Sequence, residues 1–327
     1  MITRRHAAVS VGCALLAPSM HSLAATDSTY PHKPVTLIVP FAPGNVTDGI
    51  ARLVGDSLGK ALQQPIVIDN KVGASGIIGM SALKRAPADG YTLGLSAIGP
   101  MALNPSLYKN LAYEPLNDFK PIALIYRGPM FLLVDAKSDL RTLQDVIAFA
   151  KKSTDPLQYT TPGIGSSQHL TAELFAVSSD LKLQHIPSKG SPQAATMLLS
   201  GMVPVLFESA TPAMSFIASG QMRAIAISTP ERTAEYPQVP TFVESGLKDV
   251  TSFGWLVVVA PAATPTLNVD RIAKALQGVM VQPSIVKALQ AQGAEAVFMT
   301  PQASFAFIKS EQNKWGHLIR KLNLSLE

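Results

Sequence analysis

The sequence predicts an α/β fold in about two domains, on three observations. Short apolar β-rich runs alternate with amphipathic helical stretches along the chain, the pattern of strands connected by helices. With an N-terminal leader set aside, about 300 residues remain, roughly the length of two domains. One local pattern, a Gly-containing loop opening a hydroxyl-bearing helix start, occurs at 43–48 and again at 162–167.

The elements follow in order. "VTLIV" (Val35–Val39) is an apolar run suited to a buried strand. Pro43-Gly44-Asn45 is turn chemistry. Thr47 and Asp48 are N-cap types, and Ile50, Leu53, Val54, Leu58, Ala61 and Leu62 then share one helical face. Residues 65–70 read as a second strand, 76–86 as a helix, and 89–97 as a turn and third strand. Residues 118–126 and 129–135 read as two further strands. A helix over 142–152 has Leu143, Val146, Ile147 and Ala150 as its stripe.

The stretch 157–177 then repeats the opening pattern. It has a β-run, a Pro-Gly loop, Ser166 and Ser167 at cap positions, and a helix turning Leu170, Leu174 and Phe175 inward. A strand, a helix begun by Ser191-Pro192 and stopped at Gly201, and the strands "VPVLFES" and "MRAIAIS" come next. After the apolar "FGWLVVVAP" (Phe253–Pro261), the tail reads as two helices, the strand "EAVFM", and a last helix capped by Thr300-Pro301.

A Gly-containing turn opening a helix leaves backbone N–H groups at the positive end of a dipole, a site for an anion. A plain strand–helix corner fits the same residues. Two such ends facing each other across a cleft would hold a small anion with little help from Lys or Arg, and domain interfaces are where small-ligand sites concentrate.

Residues 1–24 read as a signal peptide. Arg4 and Arg5 form a basic start, residues 7–17 are apolar, and "HSLAAT" supplies small residues for cleavage near Ala24 or Ala25. Arg4-Arg5 leaves the twin-arginine and general export routes both open. The single cysteine, Cys13, lies in the leader, so the mature chain has no disulfide, thiol nucleophile or thiolate metal site. The formal charge of +5 falls to +3 when Arg4 and Arg5 leave with the leader. No Lys/Arg block points to nucleic acid.

Several motifs resemble enzyme signatures without completing them. "GASGIIG" (73–79) has the spacing G-x-x-G-x-x-G and stands four residues after a strand, so it is not a dinucleotide fingerprint. Ser166 and His169 suggest a hydrolase, but the G-x-S-x-G elbow is missing and Ser166 sits at a cap. His169 reads as a helix residue that orders the loop. His32, His169, His185 and His317 are scattered and no phosphate-binding loop is present, so neither a metal nor another cofactor is expected.

From about Tyr30 to the C-terminus the chain resembles the Bug-type extracytoplasmic solute-binding receptors of tripartite tricarboxylate transporters. The carriers are "YPHKPVTLIVPFAPGNVTDGIAR", "QPIVIDNKVGASGIIG", "APADGYTL", "GIGSSQHLTAELF", "HIPSKGSPQA", "FIASGQMRAIAIS", "ERTAEYPQVPTFVESG" and "FGWLVVVAPAATP", specific in their order and spacing together. The resemblance implies a two-lobed periplasmic-binding-protein (Venus flytrap) fold whose hinge is two crossing strands, near 126–130 and 251–255. Lobe 1 would comprise 25–127 and 252–327, and lobe 2 would be 128–251. It implies a small organic carboxylate held by backbone amides, hydroxyls and ordered water. The first loop would supply Phe41, Ala42, Gly44, Asn45, Thr47 and Asp48. The opposing loop would supply Thr161, Gly163, Gly165, Ser166 and His169. Ser96 would form a wall, with Ser209 and Ala210 at the cleft end of another strand.

Two departures stand out. Asn45 replaces a second glycine, which Asn tolerates because it enters left-handed backbone more easily than most residues. Pro204 stands where an aspartate is usual and favours a strand start or edge.

The resemblance implies a periplasmic monomer, not an enzyme, that passes its ligand to a large and a small membrane subunit. Two rivals remain: an exported α/β hydrolase using Ser166 and His169, and a sensor feeding a signalling partner. Arg127, beside the first crossing, is a candidate for a second carboxylate or a plain hinge arginine.

Overall fold

The computed structural model describes residues 30–326; the expected leader and its cleavage point lie outside the described residues. Val35–Val39 (β1) leads into Val46–Leu62 (α1), Ile66–Asn70 (β2), a 3-10 turn at Ala74–Gly76, Ile77–Lys84 (α2) and Thr92–Ala97 (β3). β1 pairs in parallel with β2 and β3 and is largely buried, as a helix-covered parallel strand must be. A π-helical turn at Gly99–Leu103 and two single-turn helices, Asn104–Leu107 (α3) and Pro115–Asp118 (α4), were not expected from the sequence.

The next element corrects the sequence reading. One 17-residue strand, Phe119–Asp135 (β4), stands where two were expected. Arg127-Gly128 looked like a break, yet Trp255 and Gly254 pair directly across them. Of its two interior prolines, Pro121 sits at a register shift and Pro129 at the last β9 pair, where a missing N–H is tolerated.

The second group comprises Leu143–Lys152 (α5), Leu157–Thr161 (β5), Ser167–Ser179 (α6), Leu183–Pro187 (β6), Ser191–Leu199 (α7), Val205–Ser209 (β7), Ala210–Ala218 (α8) and Met222–Ile227 (β8). β7 begins directly after Pro204, where a missing N–H costs no ladder bond. The chain closes with Phe253–Pro261 (β9), Thr266–Met280 (α9), Pro283–Gln290 (α10), Glu295–Met299 (β10) and Pro301–Lys321 (α11).

β4 joins the two groups. Through Pro129 it pairs with β9, and around Arg127 with β10. From Met130 onward it pairs with β7 and β8. The strand order is β2-β1-β3-β9-β4-β7-β5-β6, with β8 and β10 also on β4. The C-terminal β9 and β10 thus complete the sheet that β1 begins. Sharing β4 leaves the chain from Pro31 onward one compact unit.

The pleat of β4 sorts the core. Leu132 and Val134 enter a cluster with Tyr159, Phe175, Phe207 and Phe242. Phe131 and Leu133 enter one with Leu198, Leu206, Ile227 and Tyr236 on the other face, because alternate strand residues point to opposite faces. The first group has its own core, including Met80, Leu124, Trp255 and Trp315. Both tryptophans donate their indole N–H to Glu311 Oε2 at 3.0 Å, which satisfies that buried carboxylate and pins α11 to β9.

Candidate functional site

The loops after β1 and β5 are built alike. In the first, Gly44 has φ +82°, a left-handed conformation that glycine adopts without a steric penalty. Asn45, not Thr47 or Asp48, is the N-cap of α1: its Oδ1 accepts the Asp48 N–H at 2.9 Å. The helix starts earlier than expected because an amide oxygen at 45 reaches the third helical N–H. The Gly44 N–H donates to Asp48 Oδ2 at 2.9 Å. Arg52 grips both Asp48 oxygens at 3.0 Å, and Asn70 Nδ2 bridges Asp48 Oδ1 and the Phe41 carbonyl. Arg52, and then the Gly44 N–H, hold the Asp48 carboxyl at a pKa of about 2 despite its burial.

In the second loop Gly165 has φ +73°. Ser166 caps α6, its Oγ accepting the His169 N–H at 3.1 Å. The Gly165 N–H donates to His169 Nδ1 at 3.2 Å. A Cβ at Gly165 would lie 2.9 Å from Leu326 and 3.1 Å from Leu107, so the turn has neither the backbone freedom nor the space for a side chain. Thr161 Oγ1 accepts the Gly163 N–H at 3.3 Å and meets His185 Nε2 at 2.7 Å. Burial lowers the pKa of His169 to about 3 and of His185 to about 4, so both rings are neutral near neutral pH.

Each loop therefore uses the third helical N–H and the glycine N–H internally. The first two N–H groups of each helix have no intrahelical acceptor. These are Val46 and Thr47 in α1, and Ser167 and Gln168 in α6. No hydrogen bond joins the two loops among the described residues.

The remaining expected residues divide. Ala42 accepts the Asn45 N–H through its carbonyl. Ser96 is fully buried at the end of β3, its hydroxyl without a partner among the described residues. Ser209 stands at the N-cap position of α8 but makes no side-chain cap bond; its N–H and O–H both point to Glu208 Oε1, and Ala210 beside it is buried. Gln168 Nε2 reaches Glu208 Oε1 at 3.0 Å, which ties the second loop to the end of β7. Sequence reasoning missed Gln168, His185 and Glu208. Each sits inside a regular element with no motif of its own, and only tertiary contact brings it to the loop.

Arg127 stands apart. It pairs with Glu295 at 2.9 Å and lies over the Phe253 ring at 5.0 Å. It lines a cavity of about 540 Å3 with residues 229–235, Val286 and Gln290 that includes neither loop.

Among the described residues, no cluster of three or more His, Cys, Asp or Glu could hold a metal. None of their helices is long and apolar enough to cross a membrane. The Ser166–His169 pair has the wrong sense for a nucleophile: the His169 main chain donates to Ser166 Oγ, and the imidazole Nδ1 is occupied by Gly165.

Residues 50–324 match the family described as the tripartite tricarboxylate transporter family receptor. The chain belongs to that receptor family. It is 34% identical over 300 residues to protein BugT of Bordetella pertussis, covering 91% of this chain and 92% of that one. The solved structure of periplasmic binding protein BugD is similar at TM-score 0.77 and 32% identity, covering 90% of this receptor and 99% of BugD. The R. palustris protein Rpa4515, solved with adipate, is similar at TM-score 0.81 and 30% identity, covering 91% and 100%. The receptor thus has the two-lobed α/β fold of periplasmic binding proteins, and its family function is solute capture.

Proposed function

We propose that this receptor closes two lobes on a small organic carboxylate in the periplasm and delivers it, as a monomer, to the large and small membrane subunits of a tripartite transporter. The observation that carries the reading is the matched pair of open helix ends. Two N–H groups at α1 and two at α6 point their donors along helix dipoles, and among the described residues none has a protein acceptor. Donors fixed by caps lose little entropy on binding, and bonds to a carboxylate are charge-assisted. Thr47 brings a hydroxyl to the α1 terminus, while Ser96 is fully buried and Ser209 turns its hydroxyl to Glu208, so both support the site from inside. Asp48 and His169 act from behind, by holding their glycines.

We take lobe 1 as 25–127 with 252–327 and lobe 2 as 128–251; the exchange of β4 partners at the nearby Pro129–Met130 step supports a division in this stretch. Closure shifts an open–closed equilibrium, since only the closed state brings both helix ends to one ligand. That a relative was solved with adipate supports a carboxylate as the class.

A thermal-shift screen with mono- and dicarboxylates, adipate included, tests the reading. A ligand that binds only the folded state raises the melting temperature. A panel in which no acid does so, or turnover of esters lost in Ser166→Ala, would overturn it.

A further inference from the structure

Behind the second loop lies an aromatic stack that reaches both of its glycines. His169 on α6 and His185 on β6 stack with centroids 4.2 Å apart and planes at 26°. Tyr159 on β5 stacks on His185 at 4.9 Å. Tyr159 donates to Glu173 Oε1 at 2.5 Å, and the same oxygen lies 3.7 Å from His169 Nε2. The stack holds Gly165 directly through His169 Nδ1. It holds Gly163 indirectly, because His185 meets Thr161 Oγ1, and Thr161 Oγ1 bonds both the N–H and the carbonyl of Gly163.

We propose that His185 is a positioning residue for the carboxylate clamp: through Thr161 and its stack with His169, it fixes the 161–165 turn so that the α6 N–H groups face the ligand. The proposal rests on the clamp reading above. Thr161 has one hydroxyl proton. If that proton goes to the Gly163 carbonyl, His185 must supply the proton of the Thr161–His185 bond, as a neutral ring with its hydrogen on Nε2. His169 accepts at Nδ1, so its hydrogen sits on Nε2, facing Glu173. Both rings then carry the same tautomer for different reasons. The groups facing the pair are Tyr159 from β5, Glu173 from α6 and Thr161 at the end of β5. Burial raises the Glu173 carboxyl and the Tyr159 phenol alike, so this pocket favours neutral forms throughout.

The test uses the mature chain, free and with adipate and malate as probes. His185→Phe keeps a ring for the stack but loses the bond to Thr161. Amide hydrogen exchange at Gly163 and Gly165 should accelerate about tenfold, the loss of one net hydrogen bond, with β1 amides unchanged. Affinity for whichever probe binds should fall by about the same factor. His185→Gln, which restores an N–H donor, should recover both. Unchanged glycine exchange in His185→Phe overturns the proposal, as does acceleration spread over all amides or failure of the Gln variant to rescue. If neither probe binds the wild type, the clamp reading fails for these acids, while glycine exchange still decides whether His185 positions the turn.

Discussion

The loops at 44–48 and 165–169 solve one problem with different chemistry. Each runs glycine, cap residue, two helical residues, then an acceptor for the glycine N–H. In the first the acceptor is a buried, ionised carboxylate, Asp48, paired with the largely exposed Arg52. In the second it is an uncharged imidazole, His169. The difference is electrostatic. A fixed negative charge at the start of α1 offsets part of the helix dipole, whereas α6 keeps its positive end uncompensated. On the proposed clamp reading, the second loop is therefore the stronger anion site, and the first the more rigid support.

The largest expected effect breaks that asymmetry by placing one charge at each cap. Ser166→Asp keeps a good N-cap but sets a carboxylate at the α6 terminus. It should weaken adipate binding by about 100-fold or more, since like charges brought together cost several kcal/mol, with little change in melting temperature. Asn45→Asp, the matching change beside an already charged partner, should cost less. Equal losses by titration calorimetry would remove the distinction.

A second comparison removes the acceptors. Asp48→Asn leaves one acceptor oxygen, sets an NH2 against the donors of Arg52 and Asn70 and unpairs Arg52, so stability should fall by about 1.5–3 kcal/mol, the range for hydrogen bonds to a charged group. His169→Gln should cost less. Urea unfolding midpoints at constant slope would show this.

Acid should separate the loops in sequence. The folded-state pKa of His169, about 3, and of His185, about 4, lie below the usual 6.5. Below pH 6.5 the unfolded chain binds more protons than the folded one. Stability is therefore full above that pH and declines as pH falls through the folded values. Asp48 is also depressed, to about 2 from 3.8, so its contribution persists to lower pH. Glycine amide signals should thus be lost from Gly163 near pH 4, from Gly165 near pH 3 and from Gly44 only near pH 2. The reverse order in an NMR titration would contradict the assignment of acceptors.

The smallest effect is at the family departure. Asn45→Gly restores the second glycine and should change stability by only a few tenths of a kcal/mol, since glycine is itself a fair N-cap.

Much of this was legible beforehand. The pattern of β1 with α1 and of β5 with α6 marked both loops; Gly44, at φ +82°, is the glycine that turn chemistry indicated, whereas in the second loop the Pro-Gly reading pointed to Pro162-Gly163 and the left-handed residue is Gly165, at +73°. The cap at Ser166 was legible because a serine there precedes an apolar helical stripe. The cap at Asn45 was misplaced because Thr47 and Asp48 are cap types too, and only geometry shows which side chain reaches the third N–H. β4 was split because Arg127-Gly128 interrupts the apolar run, and its pairing partner lies more than a hundred residues away.

The sequence by itself determined the α/β alternation, the two glycine turns and the apolar faces, because these depend on local backbone sterics and on the spacing of apolar residues. Only the tertiary structure decided that β4 serves both sheets, that Asn70 reaches Asp48, and that His185 lies against His169. Those contacts join residues distant along the chain, and hydrogen-bond geometry between them has no local signal from which to be read.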